Sequence, residues 1–233
     1  CAALEFRLDL VAWLTTNILI VDDVVDMNAV QDTRPVRMFT LTKVNGMTIT
    51  NRPTGAVYTL SYRTVTEHLG VGGDDLIAAY WCPYENGDCR GVMLGPSAPY
   101  MFTATMNGCS FGVGSATAGG QRMVYHVNKE VHGIDVTDQQ AVDAGFVTMA
   151  KSQKKKLRKR HVPQTNIIDP RTYGGGTVAV NKPVFGNVYV IVNTLTTVGL
   201  RLNNTWRFYT HLYRKTGNTT YTHNGFTPCA TIV

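Results

Sequence analysis

The stretch TATMNGCSFGVGSATAGGQRMVYHVN, residues Thr103–Asn128, decides how this chain is interpreted. It consists of two short apolar runs joined by a loop of small residues, a pattern typical of a β-hairpin. Side chains directly opposite each other on an antiparallel pair lie about 4.5–5.5 Å apart at Cβ. A turn centred on residues 116–119 predicts three opposed pairs: Cys109 with His126, Phe111 with Val124, and Val113 with Arg122.

The first of these pairs is the arrangement that a cysteine nucleophile requires. Only the thiolate is a strong nucleophile, and a neighbouring imidazole can take the proton of the thiol. Residues Asn107-Gly108 are expected to bend the chain before Cys109, so that the backbone amides of Gly108 and Ser110 face an oxyanion. The alternative is a buried cysteine beside a core histidine, because free cysteine is among the most buried residue types.

The composition fits one folded domain. The chain has 233 residues, 44% of them hydrophobic and 16% charged, which is ample for a single core, and we expect one catalytic domain over residues 1–233. Its 22 glycines and many threonines, valines and tyrosines favour strands and turns. The N-terminal stretch 4–20 is apolar, but it contains Glu5, Arg7 and Asp9 and lacks a basic n-region, so it does not resemble a signal peptide. Because the chain begins with Cys1, the loss of an earlier targeting segment stays open.

Hydrophobic periodicity predicts the elements around the hairpin. We expect a helix over residues 3–20, in competition with a strand from residue 18, and a second helix capped by Thr137 or Asp138 and running through the segment QQAVDAGFVTMAKSQKKKL. The Asn45-Gly46 pair predicts a hairpin between residues 36–44 and 47–51. Further strands are expected at residues 56–65, 76–82 and in the runs GTVAV, NVYVIVNTLTTV and WRFYTHLYR. This order predicts an α+β fold with a two-sheet β-sandwich core and flanking helices.

The positive charge of the chain is local. The segment KSQKKKLRKR carries seven basic residues, more than the net charge of +6 of the whole chain. A charge run is usually a solvated helix end or loop, and the alternatives are a docking surface for an acidic protein or for the phosphates of nucleic acid or lipid. No aromatic residues interrupt the run, which weakens the case for single-stranded nucleic acid. The basic residues are Lys151, Lys154, Lys155, Lys156, Arg158, Lys159 and Arg160.

The other cysteines and histidines form no recognisable site. Cys82 and Cys89 flank a tight turn at a spacing of six, whereas paired zinc ligands usually have two to four residues between them. We interpret both as structural thiols, because buried cysteine is common. His132 competes with His126, but it is followed by Gly133 and lies beyond the predicted strand.

The segment 76–128 resembles the glutamine deamidase toxins that include cytotoxic necrotizing factor and, more closely, Burkholderia lethal factor. These proteins carry a Leu-Ser-Gly-Cys signature, and an aromatic-His pair follows after a hairpin loop. Here Met106-Asn107-Gly108-Cys109 and then Tyr125-His126 stand in those places, so the glycine and the cysteine match and the first two signature residues differ. The loop between cysteine and histidine is longer in this chain.

The resemblance implies a function and a site. It implies a Cys–His deamidase that converts a protein glutamine to glutamate without metal or organic cofactor, in a monomeric bacterial effector, secreted or delivered, that acts in a host cytoplasm. Rho-type GTPases or a translation-initiation RNA helicase are the implied substrates. Thr103 occupies the position of a threonine whose backbone carbonyl orients the histidine. Arg122 and Tyr125 flank the site and are candidate substrate contacts.

Two other classes of protein remain open from the residues. One is a Cys–His peptidase or transglutaminase-like hydrolase, which shares the nucleophile but not the substrate. The other is a non-enzymatic β-sandwich that binds a partner through its basic segment.

Overall fold

The computed structural model describes residues 1–21, 35–63, 75–129, 134–182 and 186–229. These residues form mostly strands, with four helices, so the prediction of a mixed helix and strand protein is confirmed. The helices are α1 (Ala2–Leu8), α2 (Leu10–Thr16), α3 (Gln139–Lys159) and α4 (Pro170–Tyr173). None of these helices is long and apolar enough to cross a membrane.

The strands fall into one large sheet and two small ones. The strands are β1 (Ile18–Ile20), β2 (Val36–Lys43), β3 (Thr48–Ile49), β4 (Val57–Arg63), β5 (Ile77–Cys82), β6 (Cys89–Leu94), β7 (Tyr100–Thr103), β8 (Ser110–Ala116), β9 (Arg122–Val127), β10 (Ile167–Ile168), β11 (Thr177–Lys182), β12 (Gly186–Ile191), β13 (Thr194–Leu202), β14 (Thr205–Lys215) and β15 (Thr220–Pro228). The expected strands at residues 56–65 and 76–82 correspond to β4 and β5, although residues 64 and 65 lie outside the described ranges.

The large sheet has nine strands in the order β1-β4-β2-β5-β7-β13-β14-β15-β3. It curls until it is nearly closed, and α1 and α2 pack their apolar side chains Phe6, Trp13 and Leu14 into one core cluster with its residues. The finer prediction of a two-sheet sandwich is therefore not confirmed.

The second sheet carries the cysteine and histidine hairpin. Its four strands have the order β10-β8-β9-β6, and a separate hairpin is formed by β11 and β12. Phe111 of β8 and Val124 of β9 share a buried cluster with Met101 and Phe208 of the large sheet. The two sheets therefore meet through the side of the hairpin that carries the odd-numbered residues of β8.

The prediction of one helix over residues 3–20 is wrong, whereas the competing prediction of a strand that begins at residue 18 is confirmed by β1. The segment forms two short helices and a strand, with the break at Asp9. The side chain of Asp9 accepts a hydrogen bond of 2.9 Å from Ala12 N and so begins a second helix. An N-cap of this kind needs a non-helical backbone, which Asp9 has, and this outweighs the continuous apolar pattern.

The predicted hairpin around Asn45-Gly46 is also wrong. The turn forms, with φ of 75° at Gly46, but the strands on its two sides do not pair. Strand β2 lies between β4 and β5, whereas β3 pairs in parallel with β15. Long-range pairing partners, not the turn residues, decide where these two strands go.

The helix after residue 138 is confirmed. The Asp138 carboxylate accepts hydrogen bonds from Gln140 N and Ala141 N, which satisfies the first amides of α3. Its last turn contains Lys156, Arg158 and Lys159, whose positive charges complement the negative end of the helix dipole.

Candidate functional site

The two strands of the hairpin pair in a register that is shifted by two residues from the predicted one at Phe111 and His126. Phe111 lies opposite His126 and Val113 opposite Val124, so the predicted pairing of Cys109 with His126 is wrong. The turn closes later than expected, because Thr117 N donates to Gln121 O at 2.8 Å. The Thr117 hydroxyl also accepts from Gln121 N at 3.1 Å, which fixes the loop in this position.

From Ser110 to Val113 the shift is two residues, which keeps these side chains on their predicted faces of the sheet. A bulge between Val113 and Ala116 then places Ala116, and not Val113, opposite Arg122. Cys109, one residue before β8, thus shares a face with Phe111, and Phe111 lies opposite His126. Cys109 and His126 are therefore diagonal and not directly opposite each other, a relationship for which spacings of about 7–8 Å are usual. Ser110 and Gly112 point the other way, towards Gln153 and Leu157 of α3, as expected.

Thr103 connects the two sheets at His126. It ends β7 in the large sheet, and its Oγ1 lies 2.7 Å from His126 Nδ1 in the small sheet. The resemblance implies a contact through the Thr103 carbonyl, whereas this contact uses the hydroxyl. The hydroxyl also donates to Cys82 O at 3.1 Å.

These contacts favour one tautomer of His126. The Thr103 hydroxyl has one hydrogen, and the Cys82 carbonyl can only accept it. When this hydrogen goes to Cys82 O, Nδ1 of His126 is the donor to Thr103, and Nε2 has a lone pair. Nε2 is buried and has no hydrogen-bond partner among the described residues.

His126 is neutral in the folded protein. Its side chain is 1% exposed, and burial lowers its pKa to about 3. Tyr84 packs against the imidazole edge to face, with ring centroids 5.0 Å apart. The site therefore contains a neutral imidazole held in one orientation, and its lowered pKa makes it a weaker proton acceptor than a solvated histidine.

The backbone before Cys109 is a constrained bend. Gly108 has a φ of 100°, a conformation that side chains with a Cβ rarely adopt. Its N–H, a predicted oxyanion donor, donates to the Tyr173 hydroxyl at 3.1 Å. That hydroxyl in turn donates to Cys109 O at 2.8 Å. The amide of Gly108 is thus engaged by Tyr173 in this structure.

Gln153 holds the other side of the bend. It donates from Nε2 to Gly108 O at 2.9 Å and accepts from the Ser110 hydroxyl at 2.6 Å. Sequence reasoning missed both Gln153 and Tyr173. The inward position of Gln153 could have been found from its i,i+4 spacing to Leu157 on α3. Tyr173 gives no such signal, since it is 64 residues from Cys109.

The structure does not bring Arg122 and Tyr125 close to the thiol. Arg122 shares the face of His126, but it lies four residues away along β9, about 13 Å at the usual rise. It is buried and donates to Gly114 O at 3.4 Å, and burial lowers its pKa. Tyr125 lies on the opposite face, against the cluster that contains Leu157 of α3.

The remaining cysteines do not form a second site. All five cysteines lie in described ranges and are thiols. Burial raises the pKa of Cys82 far above its ordinary value, which makes it a poor nucleophile. Cys89 is buried on the other face of the small sheet. In the ranges that the structure describes, no group of three or more His, Cys, Asp or Glu residues could hold a metal ion. His132 lies outside those ranges.

The basic run divides into structural and exposed residues. Lys154 pairs with the buried Asp169, and Lys156 donates to Gly87 O at 2.7 Å. Arg158 donates to Gln164 Oε1 at 2.9 Å, and Arg160 lies close enough to Cys89 to oppose the rise in its pKa that burial causes. The exposed lysines on the solvent face of α3 are Lys151, Lys155 and Lys159.

Comparisons with known proteins add no family to this geometry. A search of protein families finds no match to this sequence, and a search of curated proteins finds none either.

Proposed function

We propose that this protein is a Cys–His protein glutamine deamidase. The observation that carries the proposal is the orientation of His126: Thr103 holds Nδ1 at 2.7 Å, and the free Nε2 belongs to a ring on the same face of the hairpin as Cys109. An oriented base beside a cysteine is the common requirement of thiol acyl transfer. The resemblance of residues 76–128 to glutamine deamidase toxins selects the carboxamide as the substrate group.

The proposed reaction begins from the neutral pair. His126 Nε2 takes the thiol proton while Cys109 Sγ forms a bond to the carboxamide carbon, and the carbonyl electron pair moves to oxygen. Collapse of this tetrahedral species breaks the C–N bond, and Nε2–H gives its proton to the departing nitrogen, which leaves as ammonia. The product of this half-reaction is a thioester on Cys109.

Water completes the proposed cycle. Nε2 takes a proton from a water molecule as its oxygen attacks the thioester carbon. The C–S bond then breaks, the thiolate recovers the proton from His126, and glutamate is released. Throughout both halves the Thr103 hydroxyl keeps Nδ1–H engaged, so that only Nε2 exchanges protons.

The oxyanion in this proposal faces the backbone amides at the bend. The amide of Ser110 keeps its proposed role, whereas that of Gly108 has to leave the Tyr173 hydroxyl before it can donate to an oxyanion. The substrate classes in the proposal come from the resemblance alone: a Rho-type GTPase or a translation-initiation RNA helicase, reached by a delivered bacterial effector in the host cytoplasm.

One observation favours a second candidate function. Cys109 is 6% exposed and His126 1% exposed, so both side chains also fit the interior of a non-enzymatic binding module. In that case the exposed lysines of α3 bind an acidic partner, and the Cys–His pair only fills the space between the sheets.

Mass spectrometry of candidate substrates separates these functions. The purified protein is incubated with a Rho-type GTPase, a translation-initiation RNA helicase and β-casein, and ammonia is measured in parallel. Deamidation converts one glutamine to glutamate with release of ammonia, and Cys109→Ser and His126→Gln abolish it. Cys229→Ser, a partly buried cysteine elsewhere in the chain, is the matched control and retains activity.

Each alternative has its own result in this experiment. Cleavage of the substrate chain identifies a peptidase, and a new glutamine–lysine bond identifies a transglutaminase-like enzyme. If the Cys109→Ser variant acts on every substrate as the wild type does, the proposed nucleophile is wrong.

A further inference from the structure

Two side chains from outside the hairpin hold the backbone on both sides of Cys109. Tyr173 of α4 bridges Gly108 N and Cys109 O with one hydroxyl. Gln153 of α3 bridges Gly108 O and the Ser110 hydroxyl with one carboxamide. Four hydrogen bonds of 2.6–3.1 Å thus fix the residues around Cys109.

Both side chains are deeply buried. Gln153 is fully buried within the most basic segment of the chain, and Tyr173 is 5% exposed. A buried carboxamide or phenol is costly unless its polar atoms are hydrogen-bonded. The hydrogen bonds to the bend therefore explain why a glutamine and a tyrosine stand at these two buried positions. Burial also raises the pKa of Tyr173 well above its ordinary value, so the hydroxyl keeps the hydrogen that it donates to Cys109 O.

The bend needs this support because it lies between two strands, after the end of β7 and before the start of β8. Strand β8 begins at Ser110, so Cys109 lies just outside the antiparallel ladder. Gly108, with its φ of 100°, gives the backbone freedom that a residue with a side chain lacks. The contacts from Gln153 of α3 and Tyr173 of α4 therefore hold the backbone at the place where the ladder of β8 has not yet begun.

We infer that Gln153 and Tyr173 are positioning residues that aim the Cys109 thiol for the reaction, an inference that rests on the proposed deamidase function. Both residues act through the main chain of Gly108 and Cys109, and Gln153 also acts through the hydroxyl of Ser110. A displacement of about 1 Å at a reacting atom costs about 100-fold in rate. Their loss is therefore expected to reduce kcat while KM stays unchanged.

The test compares three variants that lose one buried polar side chain each. Gln153→Met and Tyr173→Phe keep the size of the side chain and remove the hydrogen bonds to the bend. Asn166→Leu is the matched control, because Asn166 is also buried and donates to Val113 O of β8 at 3.1 Å, four residues beyond Cys109. Ser110→Ala, which removes only one of the two contacts of Gln153, serves if Gln153→Met does not fold.

Two measurements are made on each folded variant. The first is kcat and KM for deamidation of β-casein. The second is the NMR signal of Cys109 in protein carrying 13C-labelled cysteine, assigned with the Cys109→Ser variant, which reports the conformation of the thiol without any reaction. We expect kcat to fall about 100-fold with KM unchanged in Gln153→Met and Tyr173→Phe, together with a shifted Cys109 signal. Asn166→Leu is expected to change neither.

The outcomes separate the inference from the function on which it rests. A Cys109 signal at the wild-type position in both Gln153→Met and Tyr173→Phe overturns the inference, as does an equal loss of kcat in Asn166→Leu. If the wild-type protein releases no ammonia from β-casein or from the two proposed substrates, the proposed function fails on that result alone. The Cys109 signals then still decide whether Gln153 and Tyr173 position the thiol.

Discussion

Thr103 Oγ1 and His126 Nδ1 meet at 2.7 Å across the junction of the two sheets. The threonine ends a strand of the nine-stranded sheet, and the histidine lies in the middle strand pair of the four-stranded sheet. A single hydrogen bond thus links the packing of the two sheets to the orientation of the proposed base. Because Thr103 also donates to Cys82 O, the position of β5 contributes to the tautomer of His126.

Substitution of Thr103 tests this relationship. Thr103→Val keeps the shape of the side chain but leaves the Nδ1–H of His126 and the Cys82 carbonyl without their partner. An unsatisfied buried polar group costs about 1–3 kcal/mol, so the free energy of unfolding in urea is expected to fall by at least that amount. If His126 is the base, kcat for glutamine deamidation falls about 100-fold, because the imidazole is no longer held in place.

Thr103→Ser is the matched control for this prediction. It keeps the hydroxyl and loses one methyl group, so we expect both hydrogen bonds and most of the activity to survive. The imidazole nitrogen chemical shifts of His126 measured by NMR report the tautomer directly. Shifts of the Nε2–H tautomer in the wild-type protein would contradict the assignment.

The buried histidines predict acid sensitivity. Burial lowers the pKa of His126 to about 3, and burial together with the neighbouring His223 lowers that of His211 to about 3. An unfolded histidine titrates near pH 6.5, at roughly its ordinary pKa. Below that pH the unfolded chain binds protons that the folded chain does not, so stability is fully present above about pH 6.5 and is lost as the pH falls towards 3.

Urea unfolding at a series of pH values measures this loss. Each such histidine contributes a slope of about 1.4 kcal/mol per pH unit between the two pKa values. His126→Gln is expected to reduce the slope of the unfolding free energy against pH by the contribution of one histidine, whatever its effect on the absolute stability. An unchanged slope in this variant would show that His126 is protonated at a similar pH in both states.

The sequence predicted which faces of the hairpin meet, but not which residues pair. Alternation along β8 correctly separates Cys109 from Ser110, since it depends only on the period of a strand. The register depends on where the small-residue loop closes, and that is decided by the Thr117 hydroxyl and the backbone of Gln121. Residues 115–120 are all small, so their composition does not favour one closing position.

Contacts between distant elements were the least predictable part of the site. The capping residue of α3 was predicted because an N-cap is local. The bond from Tyr173 to Cys109 depends on the packing of α4 against the small sheet, which no local pattern records. The same reason explains why no hairpin forms around Asn45-Gly46. The turn signal there is strong, but β3, which follows the turn, pairs with β15 and not with β2.

Gly108 is expected to tolerate no side chain. Its φ of 100° lies where residues with a Cβ are strained, and a Cβ would also lie 3.3 Å from Met149 Cε. The strain costs about 1–3 kcal/mol, so Gly108→Ala should lower the free energy of unfolding by that amount or shift the bend that holds Cys109.

Gly119→Ala is the matched control in the same hairpin. At Gly119 a Cβ would be 3.9 Å from its nearest neighbour, which is ordinary van der Waals contact. We expect the free energy of unfolding of this variant to lie within about 0.5 kcal/mol of that of the wild type. Equal unfolding free energies for Gly108→Ala and Gly119→Ala would mean that the bend at residue 108 is not strained by a side chain.

The basic run contains one lysine that contacts a buried carboxylate and one that is exposed to solvent, Lys154 and Lys155. Lys154 pairs with Asp169, which is only 1% exposed and also pairs with Arg171. Lys154→Gln leaves this buried carboxylate with less compensation and is expected to cost about 1–3 kcal/mol. Lys155 is exposed on the solvent face of the same helix, and Lys155→Gln is expected to change the unfolding free energy by less than about 0.5 kcal/mol. The two variants carry the same charge change on adjacent residues, so a difference between them in urea unfolding comes from the contact with Asp169. Equal unfolding free energies would show that the contact of Lys154 with Asp169 contributes no net stability.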